Sequence, residues 1–89
     1  MLGRSEIINI LNKHDPMGLI YESNFDEYVS EATMVLNLLV NSNKDAKSIK
    51  KILRSIFNKQ RFGIDPKNKS VLNEVAMEMA EKIENKLKQ

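Results

Sequence analysis

The chain has 89 residues, of which 42% are apolar, and a formal net charge of +2. That length fits one domain, over residues 1–89, and the apolar fraction is too high for a disordered chain. The absence of cysteine excludes disulfides, thiolate metal sites and a cysteine nucleophile, and it favours a cytoplasmic location. No apolar run approaches the roughly 20 residues of a membrane span, so we expect neither a signal peptide nor a membrane partner.

Charge is distributed unevenly along the sequence. Residues 1–41 carry two basic and six acidic side chains, whereas residues 42–89 carry twelve basic and six acidic ones. The two halves either attract each other within one fold or present separate faces to partners.

The first helix is predicted over residues 5–13, with Ser5 as its N-cap. Its apolar residues recur at helical spacing; they are Ile7, Ile8, Ile10 and Leu11. Pro16 disfavours helical geometry at the residue before it, so this helix should end near His14.

The segment "DPMGL" (residues 15–19) follows this helix. We expect Asp15 to end the first helix and to cap a short turn, because aspartate accepts hydrogen bonds from free backbone amides. Gly18 suits a left-handed backbone in that turn. The neighbouring apolar residues are too numerous for a free loop and should fold back over the core; they are Met17, Leu19, Ile20 and Tyr21.

The second helix is predicted over residues 25–41, with Ser23 or Asn24 as its N-cap. Its apolar stripe has a spacing of three to four residues; it consists of Phe25, Tyr28, Val29, Ala32, Val35, Leu36 and Leu39. Residues 35–40 are apolar almost all round. This pattern is most simply explained by burial in the core, and a homodimer seam is the alternative.

The third helix is predicted over residues 44–60, capped by Ser42 or Asn43 and stopped by Gly63. One face is apolar and the other is basic; the basic residues are Lys47, Lys50, Lys51, Arg54 and, further on, Arg61. Such a face neutralises the phosphates of a nucleic acid, docks an acidic protein, or is simply solvated. Neither stacking aromatics nor a set of base-reading residues accompanies it.

The last helix is predicted to run to about residue 87. It begins either directly at Asp65–Pro66 or after a loop at Ser70. Its apolar face is formed by Leu72, Val75, Ala76, Met79, Ile83 and Leu87. Because no strand alternation or hairpin signal is present, the predicted fold is an all-α bundle of about four helices.

Catalytic signatures are lacking. His14 is the only histidine, and its position at a helix end is typical of a favourable dipole interaction. The carboxylates include Glu27 and Glu31 at i, i+4 spacing, but no metal-binding or phosphate-loop motif is present. We therefore predict no catalytic residue, no metal and no cofactor.

The segment "HDPMGLIYESNFDEYVSEA" (residues 14–32) resembles the signature of the YugE-like family, small bacterial proteins found mostly in Firmicutes. That signature has Asp-Pro-x-Gly-Leu after a short helix, then Asp-Glu-Tyr, then an apolar helix. The matching residues are Asp15, Pro16, Gly18, Leu19, Asp26, Glu27 and Tyr28. The stretch "ILRSIFNKQRFG" (residues 52–63) is more loosely similar to the family's third helix.

The resemblance implies a bundle of about four helices without an established activity. Similar signatures also look like those of small immunity proteins, which plug a toxin surface, often with acidic patches. On this interpretation a partner contacts residues of the acidic half; the candidates are Asp15, Gly18, Leu19, Asp26, Glu27, Tyr28 and Glu31. In the alternative interpretation these residues are structural: Asp15 and Asp26 cap helices, Gly18 turns the chain, and the buried Tyr28 bonds to the turn.

The sequence thus favours a non-enzymatic protein–protein interaction module, either an adaptor or an immunity-type binder. Formation of a homodimer is a further possibility. The alternative is a nucleic-acid-associated protein that uses Lys47, Lys50, Lys51 and Arg54.

Overall fold

This computed structural model describes residues 2–20 and 26–88, and its regular elements there are helices. Four helices have at least 11 residues and one is a single turn; they are α1 (Arg4–His14), α2 (Val29–Leu39), α3 (Ala46–Ile56), the single-turn α4 (Lys59–Phe62) and α5 (Val71–Leu87). No strand occurs within the described ranges. The predicted all-α bundle is confirmed.

The four long helices form a ring in which each packs on two neighbours. α1 and α3 each contact both α2 and α5. α1 and α5 are antiparallel, because Glu6 near the start of α1 contacts Lys86, whereas His14 at its end contacts Glu78. Residues 15–20, which follow α1, and the segment between α3 and α5 therefore lie at the same end of the bundle.

The core is formed by the apolar stripes of the four long helices. Its members on α2 are Ala32, Val35 and Leu39, each fully buried. The predicted stripes of α1 and α3 are confirmed as well. On α5 the stripe is buried as far as Ile83, but the prediction was wrong for Leu87, which is 76% exposed in the last turn. Leu38 and Val40 remain 48% and 60% exposed, so the homodimer seam stays a prediction that concerns these two side chains.

The N-terminus of α1 is capped differently from the prediction. Gly3, not Ser5, occupies the N-cap position, and the amide of Gly3 donates to Glu6 Oε1 at 3.0 Å. A glutamate three residues after the N-cap binds the free amide there, and this places Ser5 inside the helix.

α2 begins later than predicted. Residues 26–28 form a turn, in which the amide of Val29 donates to the carbonyl of Asp26 at 3.4 Å. Tyr28 takes the N-cap position, and no side chain caps the helix. The predicted caps Ser23 and Asn24 lie outside the described residues.

The predicted helix over 44–60 is divided in two. Asp45, rather than Ser42 or Asn43, caps α3 by accepting from the amide of Ser48 at 3.3 Å and from its hydroxyl at 2.7 Å. Phe57 leaves helical geometry, at φ −97° and ψ 85°, to bury its ring in the core. Tertiary burial thus outweighs the local helical preference.

The segment after this break follows the sequence signals closely. Asn58 accepts from the amide of Arg61 at 3.0 Å and starts α4, and Gly63 ends it in the left-handed region at φ 77°. α5 begins after Ser70, the second of the two predicted starts, so Asp65 and Pro66 belong to the loop before it. Within the described residues, no helix has both the length and the hydropathy needed to cross a membrane.

Adjacent leucines of α2 provide a direct test of its rotation. Leu39→Ala should lower the free energy of unfolding by about 2–5 kcal/mol, because Leu39 is fully buried and its removal leaves a cavity. Leu38→Ala, at a half-exposed neighbour, should cost less than about 1 kcal/mol. Urea unfolding of both variants measures the difference; equal losses would show that Leu38 is also buried, either by a different rotation of α2 or by a second chain.

Candidate functional site

Asp15 lies at the centre of a hydrogen-bond network at the end of α1. Its backbone is left-handed, with φ 45° and ψ 62°, and its amide donates to the carbonyl of Leu11 at 2.7 Å. Its Oδ1 accepts from the amide of Leu19 at 2.8 Å, and its Oδ2 accepts from the amide of Ile20 at 3.2 Å. Asp15 therefore ends α1 and caps the following turn, as predicted.

Tyr28 joins this turn to α2. Its hydroxyl donates to Asp15 Oδ1 at 2.5 Å and accepts from the amide of Met17 at 3.0 Å. Burial of the ring, followed by the hydrogen bond to Asp15, raises the pKa of the phenol. The ring packs edge-on against Phe57, with centroids 5.8 Å apart. The predicted bond between the Tyr28 hydroxyl and the turn is confirmed.

The other proposed partner-binding residues are spread around this network. Gly18 is exposed with φ 67°, and Leu19 is half-buried beside Asp15. Asp26 is exposed and Glu27 is half-buried, both ahead of α2. The structure thus brings Asp15, Leu19 and Tyr28 together in internal contacts, with Asp26 and Glu27 further out.

Glu31, the remaining candidate, faces another element. Its side chain is 12% exposed, and its Oε2 lies 3.9 Å from Arg61 Nη2. The same Arg61 nitrogen lies 3.0 Å from Met34 Sδ. Arg61 therefore packs against α2 rather than extending the basic face of α3.

The basic residues of α3 point away from the core. Lys47, Lys50, Lys51 and Arg54 lie opposite the buried stripe of this helix, and three of them are exposed while Lys50 is half-buried. None of the four forms an ion pair with a carboxylate among residues 2–20 and 26–88. We call these four residues together with Lys69 the basic surface.

A groove of about 470 Å³ opens beside this helix. It lies between α3 and the loop that precedes α5; its lining consists of Lys50, Arg54, Asp65, Pro66, Asn68, Lys69 and Leu72. The groove is therefore cationic at its rim and apolar at Pro66 and Leu72. Its size lies within the range of roughly 300–1,000 Å³ that is typical of ligand clefts.

One backbone hydrogen bond and the side chain of Asn68 fix the loop side of the groove. The amide of Lys67 donates to the carbonyl of Pro16 at 2.7 Å, which ties the loop to the turn after α1. Asn68 Oδ1 accepts from the amide of Ser70 at 3.0 Å and from its hydroxyl at 3.1 Å. The loop that forms this wall is thus held at Lys67 and at Asn68.

Sequence reasoning identified Lys50 and Arg54 but missed Asp65, Asn68 and Lys69. The loop residues lie 11 to 19 positions after these two, so no spacing rule connects the two sets. The available signal was compositional: residues 46–69 contain eight basic side chains and one acidic side chain, Asp65. That bias indicates a basic region without showing that a groove forms in it.

His14 and Lys13 join α1 to α5 through Glu78. His14 Nε2 lies 2.8 Å from Glu78 Oε1, and Lys13 Nζ lies 2.5 Å from the same oxygen. Burial alone would raise the pKa of Glu78, but the hydrogen bonds from Lys13 and His14 outweigh it and lower that pKa. Across the described residues, no three histidine or carboxylate side chains are grouped closely enough to hold a metal ion.

Comparison of the chain with protein-family models, with curated proteins and with solved structures found no match in any of the three. The resemblance to the YugE-like family therefore rests on the signature residues alone, and membership in that family stays a prediction.

Replacement of the Tyr28 hydroxyl tests the network at Asp15. Tyr28→Phe keeps the packed ring but leaves the Met17 amide without its acceptor and removes one donor from Asp15. The free energy of unfolding should fall by about 1–3 kcal/mol in urea denaturation. Asp26→Asn, at an exposed position in the same signature, is the control and should change stability by less than about 0.5 kcal/mol. A loss below that level for Tyr28→Phe would contradict the network.

The lowered pKa of Glu78 predicts a pH-dependent contribution to stability. Because the folded-state pKa lies below the usual value of 4.5, the ionised carboxylate stabilises the fold above pH 4.5, and this contribution is lost as the pH falls through the folded-state value. Glu78→Gln should therefore be less stable than the unmodified chain at pH 7, by about 1 kcal/mol or less because Lys13 is largely exposed.

Urea unfolding at pH 7 and at pH 3 measures this effect. The difference between the two proteins should be present at pH 7 and smaller at pH 3. Glu84→Gln is the matched control, because its pair with Lys88 at the end of α5 is largely exposed and should contribute little at either pH. A difference for Glu78→Gln that is the same at both pH values would refute the assignment.

Proposed function

We propose that this chain is a non-catalytic protein-binding module that docks an acidic partner protein through the basic surface. The observation that carries the proposal is that the five cations of this surface form no ion pair within the described residues. Unpaired cations on one face attract an anionic partner from a distance and become desolvated only on contact.

The acidic half of the chain offers less charge to a partner. Glu6 is paired with Lys86, Glu31 faces Arg61, and the carboxylate of Asp15 accepts three hydrogen bonds inside the fold. Internal contacts thus use much of the negative charge on which an immunity-type role would depend. This favours the basic surface over the acidic one as the site that a partner contacts.

Binding to a nucleic acid is the second candidate, because the same cations would neutralise phosphates. Three features favour a protein instead. Asp65 lies in the groove, where it repels phosphate but accepts from a peptide amide. Pro66 and Leu72 supply an apolar floor, and the described aromatic rings are buried or half-buried and so are poorly placed to stack on bases.

A non-enzymatic role is supported by the contacts of His14, the one histidine, which is hydrogen-bonded to Glu78 in the packing of α1 against α5. A cytoplasmic location belongs to the same proposal and is supported by the absence of cysteine from the sequence. Membership in the YugE-like family is compatible with the proposed function. In that case the signature residues have a structural role and do not contact the partner.

Charge reversal tests which surface binds. Lys50→Glu with Arg54→Glu should weaken binding of the native acidic partner about tenfold or more, because like charges then face each other. The control is Lys82→Glu with Lys88→Glu, which makes the same change of net charge on two exposed residues, one in α5 and one at its C-cap. The measurement is affinity capture from a nuclease-treated lysate of the source organism, with the captured proteins identified and their binding then measured with purified protein.

Two outcomes would overturn the proposal. If both charge-reversal variants capture the partner equally well, the basic surface is excluded as the binding site. Capture that disappears with nuclease treatment, together with direct binding of a DNA or RNA oligonucleotide that falls steeply with salt, would establish the nucleic-acid alternative.

A further inference from the structure

The groove beside α3 combines cationic and apolar side chains in one lining. Lys50 and Arg54 project from successive turns of α3, and Lys69 approaches from the opposite wall. Leu72, which is 7% exposed, and Pro66 contribute apolar surface to the same groove. A ligand that fills it meets positive charge and apolar surface at the same time.

We infer that this groove is a peptide pocket whose ligand is a short acidic segment carrying one large apolar side chain. The inference rests on the proposed function and names the chemistry of the segment that the partner supplies. Carboxylates on both sides of the apolar residue would pair with the three cations, and the apolar side chain would cover Leu72 and Pro66.

The polar groups of the loop match a polypeptide backbone. The Asp65 carboxylate accepts from an amide N–H of a bound peptide. The oxygen of the Asn68 side chain is already engaged by Ser70, so its NH₂ group is the part that can donate to a peptide carbonyl. A carboxylate and an amide donor on one wall are what an extended peptide requires, whereas a phosphate chain has no donor for Asp65.

The groove is also held in shape before a ligand arrives. The hydrogen bond from Lys67 to Pro16 and the turn at Asn68 fix the loop, and α3 forms the other wall. A preformed wall lowers the entropy cost of binding, which favours recognition of a short segment.

A second groove, of about 400 Å³ at the opposite end of the bundle, lacks this combination. Its charged lining is mixed, with Asp45 and Glu84 beside Lys44. Lys44 is occupied by the carbonyls of Leu39 and Ser42 at the end of α2. The charge of that groove therefore selects neither an acidic nor a basic ligand.

Two fluorescent peptides of equal charge test the pocket, one with glutamates on both sides of a leucine and one with a serine in place of that leucine. The leucine peptide should bind about tenfold more tightly in fluorescence anisotropy, because partial burial of its side chain adds to the same ionic attraction. Its addition should shift the amide NMR signals of Asn68 and Leu72.

Two double variants separate the pocket from the surface around it. Lys50→Gln with Lys69→Gln should weaken binding of the leucine peptide about tenfold, since both cations line the groove. Lys47→Gln with Lys51→Gln removes the same charge from the same face outside the groove and should cost about twofold. Thermal melts followed by circular dichroism verify that both variants are folded.

The outcomes distinguish this inference from the proposed function. Equal affinity for the leucine and serine peptides, or equal losses of affinity in the two double variants, would refute the peptide pocket. The proposed function would then stand, with an acidic partner bound by the basic surface as a whole. Binding of an oligonucleotide of matching charge, with neither peptide bound, would refute both the peptide pocket and the proposed function.

Discussion

The carboxylate of Asp15 is the group on which the described structure most depends. It accepts from the Tyr28 hydroxyl and from the amides of Leu19 and Ile20, and so joins the end of α1, the following turn and the start of α2. A left-handed backbone at a residue with a side chain costs about 1–2 kcal/mol. A hydrogen bond contributes about 0.5–1.5 kcal/mol net, so the three donors to Asp15 together offset this strain.

The effect of Asp15 extends to the groove through one peptide bond. Pro16 follows Asp15 directly, and its carbonyl accepts from the amide of Lys67 in the loop that forms one groove wall. The position of that wall relative to α3 thus depends on a turn that Asp15 and Tyr28 hold. The signature segment can therefore affect binding without contacting a partner, by positioning the residues that would.

Sequence patterns predicted what local physics determines and missed what depends on tertiary contacts. Apolar residues at intervals of three to four identified the four long helices, because each helix buries one face. The start of α2 was wrong because Tyr28 binds the turn after α1 instead of continuing a helix back to residue 25. The break at Phe57 was missed because the burial of its ring, and not a proline or glycine, ends α3. Lys50 was found as part of a helical face, whereas Lys69 joins it only once the chain has folded.

The chemistry of the basic surface bears on how it would select a partner. Four of its five cations are lysines, whose compact and strongly hydrated charge attracts anions over a distance but lacks the planar fork with which arginine fixes a carboxylate. Lysines therefore raise the rate of encounter more than they distinguish one acidic protein from another. Discrimination needs a contact of defined shape and would be provided by the groove, where Arg54 and Leu72 share one lining and Asp65 would repel a ligand that presents only negative charge. Charge would bring many acidic proteins to this face, and the groove would retain the few whose acidic segment carries an apolar side chain.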